Sequence, residues 1–284
     1  MVDLAALLAD LAAESADLDS QVADLPATDW ARPTPAPGWT VAHQIAHLAW
    51  TDQVSLLAAT DQDGFEQTLV TAAANPTGFV DEGAAGFLAP PAELLARWRG
   101  LRDALAATLA ATPAGIRLPW LGTSMSASSM ATARLMETWA HGQDVADALG
   151  IIRTPTDRLR HVVHLGVRTL GHGFLVHGRP VPEVPVRVEL VSPTGRSWVF
   201  GPADAADRVT GPALDFCLLV TQRRHRADLA LTATGPVADE WLDVAQAFAG
   251  PPGAGREAAD GSAGAGREAA HLPAAGREPA GKPR

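Results

Sequence analysis

One cysteine, Cys217, stands in 284 residues, and tyrosine is absent. A lone thiol cannot form an intrachain disulfide, which fits a reducing cytoplasm. Basic residues are also short: 22 Lys and Arg face 32 Asp and Glu, for a formal charge of −10. That balance argues against a nucleic-acid surface and against a polybasic membrane contact. It leaves room for small anions, because a local Arg cluster overrides the total. No run of about 18 uncharged apolar residues occurs, so no membrane span is expected. The opening Met1-Val2-Asp3-Leu4-Ala5 has no basic region ahead of an apolar run, so no signal peptide is expected and the cytoplasm is the expected location.

Apolar residues make up 47% of the chain and tryptophan numbers eight, enough for a sizeable core. Leu4, Leu7, Leu8, Leu11 and Leu18 recur at helical spacing and predict a helix over 2–24. Four prolines between 26 and 38, ending in Pro37-Gly38, predict a loop. Thr40 then reads as the N-cap of a second helix running to about Ala59. Residues 60–90 hold Asn75-Pro76, Gly78, Gly83 and Gly86, and read as a short helical piece and a long, lid-like loop. Pro91 opens a third helix over 91–111, a Pro/Gly loop follows over 113–124, and a fourth helix over 124–149 stops at Gly150. Four helices with short or medium connections predict an antiparallel bundle over 1–152.

The pattern then changes. One more helix is predicted over 156–173. Val184–Val191 and Ser197–Phe200 flank a Ser-Pro-Thr-Gly turn and predict a hairpin. A short strand over 205–210, a helix over 213–223, a strand over 228–234 and a last helix over 236–249 complete an α+β domain assigned to 153–250. From 251 to 284 the chain repeats Gly-Arg-Glu at 255, 266 and 276, a composition that buries no core and predicts disorder. This tail holds five basic and four acidic residues, so the remainder carries −11 and the charge argument stands without it.

The chemistry concentrates in two helices. Glu137 and His141 stand four apart, which stacks them on one helix face. His47 lies on the helix opened by Thr40, where a bundle can turn it toward the same interior. Two His and one carboxylate suit a divalent ion with an open position, Zn²⁺ first, with Ni²⁺, Fe²⁺ and Mn²⁺ compatible with the same donors. His43, one turn before His47, either completes the set and closes the site or lines the cavity. Asp144 and Asp52 are candidate acceptors for the free N–H of a ligating imidazole. The bland alternative is a chance Glu/His pair on a helix; it must then explain how Glu137 is compensated in the interior.

Gly38-Trp39-Thr40-Val41…His47-Leu48, with Glu137, His141-Gly142 and Asp144, resembles the mycothiol-dependent maleylpyruvate isomerases and their DinB-like relatives, and within them an actinobacterial metal-binding subfamily. The resemblance implies a DinB-like four-helix bundle with His47, Glu137 and His141 on a divalent metal, typically zinc. It also implies a C-terminal α+β domain similar to sterol-carrier proteins, carried by Val209–Phe216 and Arg223-Arg224-His225-Arg226. The activity implied is isomerisation by addition of mycothiol to a small electrophile, or plain thiol S-transfer. With one cysteine in the chain, the reactive sulfur would come from that thiol co-substrate. A non-catalytic metal- or small-ligand-binding protein is the alternative.

Arg223, Arg224 and Arg226 form the strongest basic cluster. They read either as a carboxylate-binding group or as a solvated helix end. His161, His164, His172 and His177 resemble a second metal cluster, but His161 and His164 share a helix face while His172 and His177 flank glycines, so the structural reading is preferred; His225 reads as surface and Cys217 as inert core.

Overall fold

The computed structural model describes residues 3–121, 123–253 and 255–259. Asp3 opens helix α1 (Leu4–Val22) by accepting from the backbone N–H groups of Ala5 and Ala6. Helix α2 (Val41–Thr60) starts in a capping box between Thr40 and His43. Where a short helical piece and a long loop are expected over 60–90, two helices stand, α3 (Gln62–Ala74) and α4 (Phe79–Gly86). Polar side chains accept backbone N–H groups at the start of both. Asp61 accepts from the Gly64 N–H at 3.0 Å and Asn75 from the Gly78 N–H at 3.0 Å.

Gly83 does not break α4. It lets the Trp50 ring of α2 lie directly on the helix backbone: a Cβ there would fall 2.3–2.6 Å from ring atoms. Gly83→Ala therefore overpacks the α2–α4 contact. The expected cost is about 1–3 kcal/mol, read as a lower denaturant midpoint, and an unchanged midpoint would contradict the close approach.

Helix α5 (Pro91–Ala111) begins with Pro at its first position, as expected. The loop expected over 113–124 contains a two-stranded hairpin, β1 (Leu118–Trp120) and β2 (Thr123–Met125), so α6 starts later, at Ala127, and runs to Leu149. Ser126 caps it, and Gly150 ends it at φ 69°. The four long helices pack on one another: α1 on α6, and α2 on both α5 and α6.

The single helix expected over 156–173 is two, α7 (Leu159–Arg168) and α8 (Leu170–Val176), interrupted at Thr169. β3 (Val186–Val191) and β4 (Ser197–Phe200) form the expected hairpin. β5 (Asp207–Pro212) returns to the other side of β3 in parallel, and β6 (Thr232–Thr234) closes the order β4-β3-β5-β6. Alternate residues Val186, Val188 and Leu190 are buried, the pattern of a sheet covered on one face. Helices α9 (Ala213–Val220) and α10 (Pro236–Val244) are shorter than expected. α9 ends because Gln222 turns left-handed at φ 58°, and its N–H and that of Arg223 bond back to Leu219 and Leu218.

One apolar core runs through both halves, joining Leu7, Met136 and Trp139 to Val163, Phe216 and Trp241. No described helix is long and apolar enough to cross a membrane. The tail expected to be disordered from 251 lies outside the described residues from Asp260 onward. Its first part touches the fold: Arg256 donates to Asp144 at 2.8 Å and the Ala259 N–H to Asp228 at 3.1 Å. The expected boundary at 250 therefore falls short of the last residues that contact the fold.

Candidate metal centre

The crossing of α2 and α6 brings His47, Glu137 and His141 together, with one ligand atom from each within 4.8 Å of the others. Both imidazoles aim Nε2 at the same oxygen, Glu137 Oε2, at 3.3 Å from His47 and 3.1 Å from His141. Their rings lie 4.4 Å apart, centroid to centroid.

Proton counting makes this arrangement informative. His141 Nδ1 lies 2.5 Å from Gln44 Oε1, and Gln44 Nε2 donates to Thr34 Oγ1 at 2.8 Å. The Thr34 hydroxyl proton goes to the Trp39 carbonyl at 3.0 Å, so Thr34 receives from Gln44 and the amide presents its oxygen to His141. Nδ1 then carries the proton, which leaves the Nε2 lone pair pointing at Glu137. Burial, with help from the neighbouring His47, pushes the His141 pKa from its ordinary 6.5 to about 4, so the ring is neutral at pH 7. Burial alone would raise the Glu137 pKa. A donor or a positive charge at the two imidazole Nε2 positions outweighs that and holds the carboxyl well below the usual range, ionised. A neutral ring has one proton for two acceptors. The lone pair facing a carboxylate oxygen at 3.1 Å calls for a cation between them. His47 Nδ1 is buried with no partner, which leaves Nε2 as the side of that ring with a function.

Trp39 walls the cluster, its ring 5.2 Å from His47 and 6.0 Å from His141, nearly parallel to the latter. Its Nε1 donates to Asp81 of α4 at 2.8 Å, so the segment read as a lid is fastened to the wall of the site. Beside the cluster opens a cavity of about 260 Å³, reached by Trp39, His141, Asp144, Gln222, Arg223 and Arg256.

The other expected residues lie elsewhere in this arrangement. His43 Nδ1 receives the Thr40 N–H at 3.3 Å and contacts the Thr40 hydroxyl at 2.8 Å, so His43 serves the helix start and stands outside the three-residue group. Among the described residues Asp144 meets no imidazole; it is buried and paired with Arg223 and Arg256. Asp52 pairs with Arg134. Arg224 is spent on Asp147 through two bonds of 2.7 Å, and Arg226 on Asp239 and Asp243. Of the three arginines only Arg223 reaches the cavity. Gln44, which sets the tautomer of His141, and Arg256 were missed by the sequence reading. Gln44 carries no signal beyond its place one turn from His47, and Arg256 sits in a repeat that reads as solvated. Among the other histidines, His161 pairs with Asp10 at 2.8 Å, which fits the structural reading.

The mycothiol maleylpyruvate isomerase N-terminal domain model matches residues 11–146, and a wyosine base formation model matches 182–234. Two uncharacterized proteins of Mycobacterium tuberculosis, from strains CDC 1551 / Oshkosh and ATCC 25618 / H37Rv, are each 59% identical over 233 residues, covering 82% of this chain and 91% of theirs. The crystal structure of the mycothiol-dependent maleylpyruvate isomerase superposes with a TM-score of 0.54 at 15% identity, over 82% of this chain and 93% of that one; a histidine-to-alanine mutant of it does the same. The likeness to the solved structures is one of fold, and the domain match over 11–146 spans all three clustered residues. By that match and by the near full-length kinship, the chain belongs to the mycothiol maleylpyruvate isomerase N-terminal domain family.

Proposed function

We propose that this protein holds a divalent metal, Zn²⁺ first, through His47, Glu137 and His141, and uses it in thiol-dependent isomerisation or S-transfer on a small electrophile. The observation that carries the metal is the neutral His141 ring facing an ionised carboxylate with its lone pair. Two imidazoles and one carboxylate fit the donor set of a reactive rather than a closed site, and His43, occupied at the helix cap, adds no fourth ligand. The chemistry such an ion supplies is acidification of a bound thiol at neutral pH.

The chain's own residues do the rest. Gln44 keeps Nε2 of His141 free by holding the proton on Nδ1. Trp39 excludes water from one side of the cluster, and the cavity beside it admits a small molecule. The sulfur must arrive from outside. Cys217 is buried in α9, and burial pushes its thiol well above the ordinary range, so it is no nucleophile. Mycothiol, in the name of the family, is the thiol proposed. In the same reading, residues 1–152 form a DinB-like four-helix bundle. The segment 153–250 forms a sterol-carrier-like domain that shapes the cavity, and the protein works in the cytoplasm.

Co²⁺-substituted protein tests the thiol. Mycothiol is expected to change its visible spectrum, and glutathione is not. A spectrum indifferent to every thiol would overturn the thiol reading and leave a metal- or small-ligand-binding protein.

A further inference from the structure

Asp144 is 1% exposed and carries two guanidinium groups, Arg223 on Oδ2 at 2.9 Å and Arg256 on Oδ1 at 2.8 Å. The two are not equivalent. Arg223 also donates to the Ala140 carbonyl at 3.2 Å and to the Thr221 carbonyl at 2.7 Å. Its fork ties α6 to the turn after α9, and its donors are largely used. Among the described residues Arg256 makes a single hydrogen bond. Its Nε is buried and meets no acceptor among the described residues, and the side chain as a whole lines the cavity that His141 and Trp39 also reach. A buried N–H without an acceptor costs about 1–3 kcal/mol, so the place calls for an acceptor from outside the chain. One carboxylate between two guanidiniums leaves this wall net positive. The neighbouring Gln222 holds a left-handed φ of 58°, a strained conformation for a residue other than glycine, and faces Gly253 so closely that a Cβ there would lie 2.8 Å from Gln222 Oε1. The C-terminal segment is thus seated against a turn built to receive it.

We propose that Arg256 is the anion-binding residue of this cavity, with its spare N–H groups taking a carboxylate of the small organic acid that enters beside the metal cluster. The planar fork matches a carboxylate, and Asp144 holds the guanidinium in place for it. The proposal rests on the cavity being the substrate site. It assigns the role to a residue of the repeated tail and not to the Arg223-Arg224-Arg226 cluster, whose members are committed elsewhere.

Calorimetric titration of the full-length protein with succinate at low salt tests it. Wild type is expected to bind succinate, and Arg256→Ala to weaken it by roughly 10-fold or more, the scale of a lost charge-assisted hydrogen bond. Arg256→Lys should fall between them, because the charge stays and the fork is lost. Arg267→Ala, in the second copy of the same Gly-Arg-Glu repeat, should change nothing. Zinc content should be unaltered in all of these variants. Equal affinity in wild type and Arg256→Ala, or no succinate binding by wild type, would overturn the assignment. Thiol dependence is read separately from the Co²⁺ spectrum, so either idea can fail while the other stands.

Discussion

His141→Ala is expected to abolish stoichiometric zinc binding, read by elemental analysis after dialysis, and His47→Ala to do the same. Each ring supplies one nitrogen to a group of three atoms within 4.8 Å of one another, so neither loss can be made good by a neighbour. His43, one turn before His47 on α2, is held at the helix start by Thr40. Full metal content in both variants would sink the site. Gln44→Ala is a finer test. It touches no metal position, yet it releases the proton of His141 Nδ1, and loss of such an outer partner typically costs about 10–100-fold in affinity. The pH dependence has a definite sign. The His141 pKa is depressed in the folded protein, from 6.5 to about 4, so the metal-free fold loses stability from this group as pH falls below 6.5 toward about 4. Glu137, depressed as well, adds its loss below the ordinary carboxylate range. Well above pH 4 His141 stays neutral, so protons should compete with zinc at its Nε2 only weakly.

The candidate site was legible because its chemistry lies in spacing. A spacing of four from Glu137 to His141 puts them on one helix face whatever the rest of the chain does. What faces what across helices was not legible. Asp144 and Asp52 stand at the right distance along the chain to support an imidazole, but each lies on the side of its helix that meets an arginine. Those arginines come from segments 79 and 82 residues away. Gly83 misled for a related reason. A glycine in a polar stretch reads as a breaker until the ring that needs the bare backbone is found, and Trp50 lies on another helix. The hairpin over 118–125 and the early end of α9 were missed because short strands and a single left-handed glutamine carry no periodic signal. Arg256 was hidden by its composition. In a stretch rich in Gly, Ala and Glu, one arginine is distinguished only by the buried carboxylate it reaches.

Arg134→Met is expected to destabilise the fold by about 3–5 kcal/mol at pH 7, read by urea denaturation of the metal-free protein. Arg134 and Asp52 are both buried, 3% and 5% exposed, and joined at 2.9 Å from Nε to Oδ1. Removing the guanidinium leaves a carboxylate in the interior with its charge uncompensated. Burial already pushes the Asp52 pKa above the ordinary 3.8, against the pull of Arg134, and without Arg134 it rises further. A carboxyl whose folded pKa is raised favours folding most when protonated, so its contribution is greatest below 3.8 and is lost as pH rises through the folded value. The penalty in Arg134→Met should therefore be smaller at pH 4–5 than at pH 7, and adding Asp52→Asn should recover most of it. Equal penalties at both pH values, with no recovery, would rule out the uncompensated charge as the cause. The same pair bears on the metal. Asp52 lies on α2 beyond His47, and Arg134 lies on α6 one turn before Glu137, so the bond pins the two ligand-bearing helices in register at the level of the site. Arg134→Met should weaken zinc binding although it touches no ligand. The double variant, with its stability recovered but the pin still missing, should recover less in affinity than in stability.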